Sequence, residues 1–404
     1  MQAGTAQTPA TGPAPEQRAP QRTQTQRTWW AELGQVVPRA LAGAAHAARP
    51  DPDADCPPLS ANPLTWATLA IDELTMSTAY LINRRGGTVQ DTLDDTREAL
   101  RRLDEAGLLD DPAKLFPEPV APRDLRTTRR RRAGVEFEHM SFRAPDPLPV
   151  ALPGSVAWND GNATAHAYLL RHGDRPRPWV VVLHGHRMGE PRDLRLLGSM
   201  RLSRALGVDV AHLVLPMHGP RGRGERHPFP GLDAVTNFFG FAQSAWDARG
   251  LLAALRAEGA DTIGVFGVSL GGHVAALLAG LDADLACVVA GVPTSDVATM
   301  MATTVRQHWG EDAVVESGVE DESFRALSRL VSPLSLPALV PHDRLFIYAA
   351  IGDRLVTPQQ AIALWRHWDK PEILWLQGGH IINNVGASRR FVVDALSRSG
   401  VKGT

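Results

Sequence analysis

Apolar and polar positions change their spacing along the chain, and the change divides it. From Trp29 to about Leu109 apolar residues recur at helical intervals. NPLTWATLAIDELTMSTAYLINRRGG reads as a helix, with Asn62 as a candidate N-cap, a proline in the first turn and glycines after the last. In TVQDTLDDTREALRRLDEAGLLDDP, Leu93, Leu100 and Leu103 fall on one face and Gly107 closes the helix. The proline-rich DPAKLFPEPVAPRDL that follows reads as a linker. Residues 29–128 are thus expected to be a helical region with a linker, leaning on a larger domain.

From Val135 the period shortens. VEFEHMSF alternates apolar and polar residues, as a half-exposed strand does. TAHAYLLR, the turn HGDRPRP and WVVVLHG read as a hairpin feeding an interior strand. Helix and strand patterns then alternate. A helix near 191–206 precedes VDVAHLVLP, and one near 238–257 precedes TIGVFGVS. A helix starting at Leu270 follows, then LACVVAGV, then RLFIYAAIG with a helix near 358–368, and EILWLQGG with a last helix near 387–398. The strands are short, apolar on both faces and rich in Val and Ile. Such strands need a mostly parallel sheet with helices covering both faces, so residues 129–404 are assigned an α/β fold. Residues 294–337 interrupt the alternation with further helical pattern and are expected to form a lid.

Composition narrows the class without naming the chemistry. The 404 residues are 44% hydrophobic and 21% charged, as in a globular protein, and the net charge of -2 gives no global field for nucleic acid. Apolar runs such as LACVVAGV are too short to cross a bilayer, so no stable membrane insertion is expected. Residues 1–28, rich in Gln, Thr, Pro and Ala, cannot bury enough surface to fold and lack the apolar core of a signal peptide. They are expected to be a disordered tail on a cytoplasmic protein. Trp29 and Trp30 then anchor the first helix by burial. Cys56 and Cys287 form no metal spacing or disulfide framework, and no cofactor motif is present. The basic run RDLRTTRRRR, residues 123–132, can touch nucleic acid or a membrane surface, but acids nearby favour a solvated linker.

One short stretch carries chemistry. In TIGVFGVSLGGHVAALLAG a strand pattern stops at Gly267-x-Ser269-x-Gly271 and restarts as a small-residue helix. A serine hydroxyl needs a base, room, and donors for the oxyanion it creates. A sharp strand-to-helix corner supplies the last two and tolerates only small residues two positions either side of the serine. The amide of Leu270, at the helix start, is one candidate oxyanion donor. His186, in LHGHRMG after an earlier strand, offers the second. A metal at His184 and His186 lacks a third ligand nearby. Asp353, in IGDRLVTP, and His380, in LQGGHI, each follow a strand and lie on the same rim as Ser269. Their chain order, Ser269, Asp353, His380, is the order this elbow mechanism uses. Taken singly, Asp353 suits a turn cap and His380 a solvated loop.

Two segments face the predicted site. In MHGPRGRGERHPFPGLDAVTNFF, Arg221, Arg223 and Arg226 suit a substrate carboxylate or phosphate, or else pair internally with Glu225 and Asp233. His184 can also face substrate. Met300, Met301 and Trp309 in the lid can line an acyl pocket or simply pack the lid down.

LHGHRMG, GVSLGGH, GDRLVTP and GGH, with Asp247 in the helix before the elbow, resemble the α/β-hydrolase superfamily over roughly residues 135–400. The resemblance implies that fold and a serine nucleophile, and leaves the substrate open. The helical N-terminal region departs from the minimal fold. The reading that follows is a serine hydrolase of a small-molecule carboxylic ester or thioester. An acyltransferase, a peptidase and a non-catalytic binding relative are the alternatives, and homodimer formation is left open.

Overall fold

The computed structural model describes residues 55–404 except 61, 83–88, 133, 147, 154–161, 174–176, 223–228, 382–383 and 404, together with positions 34, 38, 41, 42 and 45. The expectations for residues 1–28, Trp29, Trp30, Arg223, Glu225 and Arg226 lie outside the described residues.

Nine strands form one sheet in the order β1-β2-β3-β5-β4-β6-β7-β8-β9. They are β1 Arg126–Arg132, β2 Val135–Arg143, β3 Thr164–Leu170, β4 Trp179–Leu183, β5 Asp209–Val214, β6 Ile263–Val268, β7 Cys287–Gly291, β8 Leu345–Ala350 and β9 Glu372–Leu376. The first three pair antiparallel and join β5; from β5 to β9 every pairing is parallel. All parallel strands therefore end on one rim, and loops that follow them meet there.

The longer described helices are α1 Pro63–Ile82, α2 Val89–Glu105, α3 Ser199–Leu206, α4 Ala234–Ala257, α5 Leu270–Ala279, α6 Val297–Trp309, α7 Glu311–Ser317, α8 Glu322–Arg329, α9 Pro358–His367 and α10 Val385–Arg398. Strand side chains alternate between two helical layers. Val181, Leu183 and Val265 join the core beneath α4 and α5, while Val180, Val182 and Phe266 pack with Leu202 of α3 and Leu396 of α10. Covering both faces removes the sheet's apolar surface from water. Helix α4 starts where Asp233 accepts a hydrogen bond from the Thr236 amide, so Asp233 caps the helix. The segment read as a lid contains α6, α7 and α8.

The basic run differs from expectation. It is not a linker but the edge strand β1, paired with β2 from Arg126↔Ser141 to Arg132↔Val135. The sheet thus begins at Arg126, ahead of the expected boundary at 129. All seven residues are exposed, so no apolar alternation could announce a strand. Backbone pairing forms it, with exposed ion pairs from Arg129 to Glu138 and Arg131 to Glu136 across to β2, and a charged edge resists pairing with another chain. Helix α2 buries Ala99 and Leu103 in the main core. Leu69 of α1 packs with Leu59 and Ile351 at the rim. Among the described residues no helix is long and apolar enough to cross a membrane.

Candidate active site

The corner at Ser269 is built by close packing. Side chains at Gly267 or Gly271 would collide with the backbone of Gly271 and of Leu183, so strand β6 and helix α5 approach as only glycine permits. The serine itself has φ 58° and ψ -115°, a strained conformation for a residue with a Cβ. Its amide donates to Gly291 O at 2.8 Å, which pins the corner to β7. The hydroxyl is thereby projected from the rim.

Asp353 and His380, from the loops after β8 and β9, meet there. Ser269 Oγ lies 2.9 Å from His380 Nε2, and His380 Nδ1 lies 2.6 Å from Asp353 Oδ2. The carboxylate can only accept, so Nδ1 carries the proton and Nε2 is left to accept from the serine. Asp353 is buried, and its other oxygen accepts from the amides of Leu355 and Val356 at 3.0 and 2.8 Å. Turn cap and imidazole partner are thus two jobs of one side chain. Burial alone would lower the His380 pKa, but the charge and hydrogen bond of Asp353, with a further contribution from Asp72, outweigh it and raise it.

Leu270 opens α5, where a free backbone amide is available at the helix N-terminus. Gly185 lies against the serine: a Cβ there would sit 3.7 Å from Ser269 Cβ. The backbone leading to His186 therefore passes the serine, while the His186 ring places Nδ1 3.1 Å from Phe229 O.

Other expected site residues go elsewhere. Arg221 is fully buried; its guanidinium donates to Asp247 Oδ2 at 2.6 Å, Val214 O at 3.0 Å and Asn162 O at 2.9 Å. It ties loop to helix and is closed to a substrate anion. His184 is likewise buried, with Nδ1 2.8 Å from Gly185 O and Nε2 accepting from the Leu215 amide at 3.0 Å. Met300 belongs to the core and Trp309 packs against it. The cleft beside His380 is lined instead by Thr304, Gln307 and His308 of α6, by Leu69, Asp72 and Glu73 of α1, and by Gly352, Arg354 and Leu355. Sequence reasoning missed the α1 residues. Their signal was the spacing 69, 72, 73, which sets a leucine and two acids on one face of an otherwise apolar helix. Among the described residues no group of three or more His, Cys, Asp or Glu could hold a metal.

Residues 248–375 match the Prolyl oligopeptidase family, a stretch that includes Ser269 and Asp353 and stops just before His380. Two Mycobacterium tuberculosis proteins are similar over most of the chain. Uncharacterized protein MT2702 (strain CDC 1551 / Oshkosh) is 39% identical over 308 residues, 73% of this chain and 72% of that protein. Uncharacterized protein Rv2627c (strain H37Rv) is 39% identical over 306 residues, 72% of each. Among solved structures, acetyl xylan esterase 1 from Thermoanaerobacterium sp. JW/SL YS485 aligns with a TM-score of 0.49 and 16% identity, covering 71% of this chain and 93% of that one. Of these, the match over residues 248–375 supports a serine hydrolase and does not separate ester from peptide substrates.

Proposed function

The chain belongs to the α/β-hydrolase superfamily, and on that premise we propose that it cleaves carboxylic esters or thioesters through an acyl-enzyme on Ser269. One observation carries this reading: the unbroken hydrogen-bonded chain from Ser269 Oγ through His380 to Asp353. His380 Nε2 takes the hydroxyl proton as Oγ attacks the carbonyl carbon. The tetrahedral oxyanion rests on the amides of Leu270 and His186. His380 then delivers its proton to the leaving oxygen or sulfur, and the C–O or C–S bond breaks. Water enters, gives a proton to His380, and its oxygen displaces Oγ, which recovers the proton while the acid leaves. Asp353 keeps Nδ1 protonated throughout and stabilises the imidazolium.

The cleft beside His380 encloses about 10 Å³, room for a water-sized group. The shortest acyl groups therefore require the smallest displacement of α1. A series of p-nitrophenyl esters of increasing acyl length, with a fluorophosphonate probe, tests the reading. Acetyl esters should turn over fastest, the probe should label Ser269, and Ser269→Ala should abolish both. A folded protein that neither labels nor hydrolyses any ester would sink it. The match at 248–375 favours a second reading, a peptidase using the same three residues. Faster release from aminoacyl p-nitroanilides than from esters would select it.

A further inference from the structure

Helix α1 does more at the rim than cover it. Leu69 and Asp72 lie one turn apart, on the face turned to the loops that carry Asp353 and His380. Each loop has a glycine immediately before its functional residue. A side chain at Gly352 would run into Leu69, and one at Gly379 into the Asp72 carboxylate. The two loops are themselves joined, Gly352 N donating to Gly378 O at 2.9 Å. Both are thus cut away where α1 seats. The Asp72 carboxylate accepts from the Ile381 amide at 3.2 Å and 3.0 Å, through Oδ1 and Oδ2, one residue beyond His380.

We propose that Asp72, carried by α1 from outside the α/β domain, is a positioning residue for His380, fixing its loop and adding a second negative charge beside the imidazolium. The role in turnover rests on the hydrolase reading; the contact with the histidine loop does not. Asp72 holds the backbone beside His380 and Asp353 holds its ring, so the two carboxylates fix the residue at two points. Its charge acts in the sense already set by Asp353 and favours the protonated ring. The other charged or titratable groups at the cleft are Glu73, Arg354 and His308. Glu73 is paired with Arg354 at 3.1 Å, so their charges largely offset and Asp72 dominates the field of α1 at the ring.

The test compares Asp72→Asn and Asp72→Glu with the unaltered full-length chain. Asparagine keeps the shape and an acceptor for the Ile381 amide but loses the charge. The His380 titration is followed by NMR, assigned with His380→Gln, and the rate of fluorophosphonate labelling of Ser269 is followed against pH. Asp72→Asn should lower the His380 midpoint by about half a pH unit or more, move the acid limb of labelling equally, and slow the plateau roughly three- to tenfold. Asp72→Glu should restore much of the midpoint. A midpoint that stays in place in folded Asp72→Asn overturns the proposal, even if the plateau rate falls, because a purely structural role would leave the limb unmoved. Failure of the hydrolase reading shows differently, as an unaltered chain that the probe does not label. The imidazole titration decides the role of Asp72 in that case too.

Discussion

His380 and the histidines under strands β4 and β5 are one residue type in two settings. His184 and His212 are fully buried and His218 nearly so, and burial pushes all three down: His184 to about 3, His212 to about 4, His218 well below its ordinary value. They sit among each other, with ring centroids 5.8 Å apart for His184–His212 and 5.1 Å for His184–His218, and among the described residues no carboxylate pairs with them. The His380 side chain is 10% exposed, hardly wetter, yet its shift is upward. The difference is Asp353 at 2.6 Å, with Asp72 behind it. Burial fixes how costly a charge is; a buried acid decides whether the charge is nonetheless favoured. One setting makes a base that can hold a proton in passing, and the other makes neutral packing.

The comparison breaks most visibly in activity. His380→Gln should cut turnover roughly ten-thousand-fold while leaving the unfolding midpoint in urea near that of the unaltered chain. Asp353→Asn should do nearly as much and should lower the His380 titration markedly, because burial is then opposed only by the Asp72 charge. Esterase assays and NMR titration read these, and an Asp353→Asn protein whose His380 still titrates high would refute the account of the shift. In the neutral cluster the damage falls on stability instead. His184→Ala strips the Leu215 amide of its buried acceptor and leaves a void, at a cost of about 3 kcal/mol in urea unfolding. The surviving folded fraction should label with a fluorophosphonate at close to the normal rate.

Much of this was legible in the chain, for definable reasons. The interior strands are continuous apolar runs between turn residues, and β4 to β9 stand where those runs predict. Ser269 is legible because its corner is local, with its glycines within two residues. Asp353 and His380 are legible because a parallel sheet brings strand ends to one rim. Strand β1 was hidden, since a fully exposed edge of arginines has no apolar period. Arg221 and His184 misled because their partners, Asp247 and the Leu215 amide, lie 26 and 31 residues away and are supplied by the fold. Asp72 gave only a spacing, because a helix face announces its polarity but not what it faces.

The gentlest test concerns pH. In the folded chain His184 stays neutral down to about pH 3 and His212 down to about pH 4, and burial holds His218 well below its ordinary value, whereas in the unfolded chain each takes a proton near pH 6.5. Between those values the unfolded state binds more protons, so folding stability falls as pH falls, by about 1.4 kcal/mol per pH unit for each histidine. His380 has the opposite sign: its folded value is raised, so its contribution is full below pH 6.5 and fades as pH rises through that raised value. His212 isolates the first effect, because neither of its ring nitrogens has a hydrogen-bond partner among the described residues. His212→Phe keeps an aromatic ring against Tyr168 and His184, strands no partner, and removes one proton from the balance. Between pH 7 and pH 5 the variant should then lose about 2 kcal/mol less stability in urea unfolding than the unaltered chain, with the labelling of Ser269 unaltered. An unchanged slope would mean that His212 is already charged in the folded protein, and that burial without an acid does not keep these rings neutral.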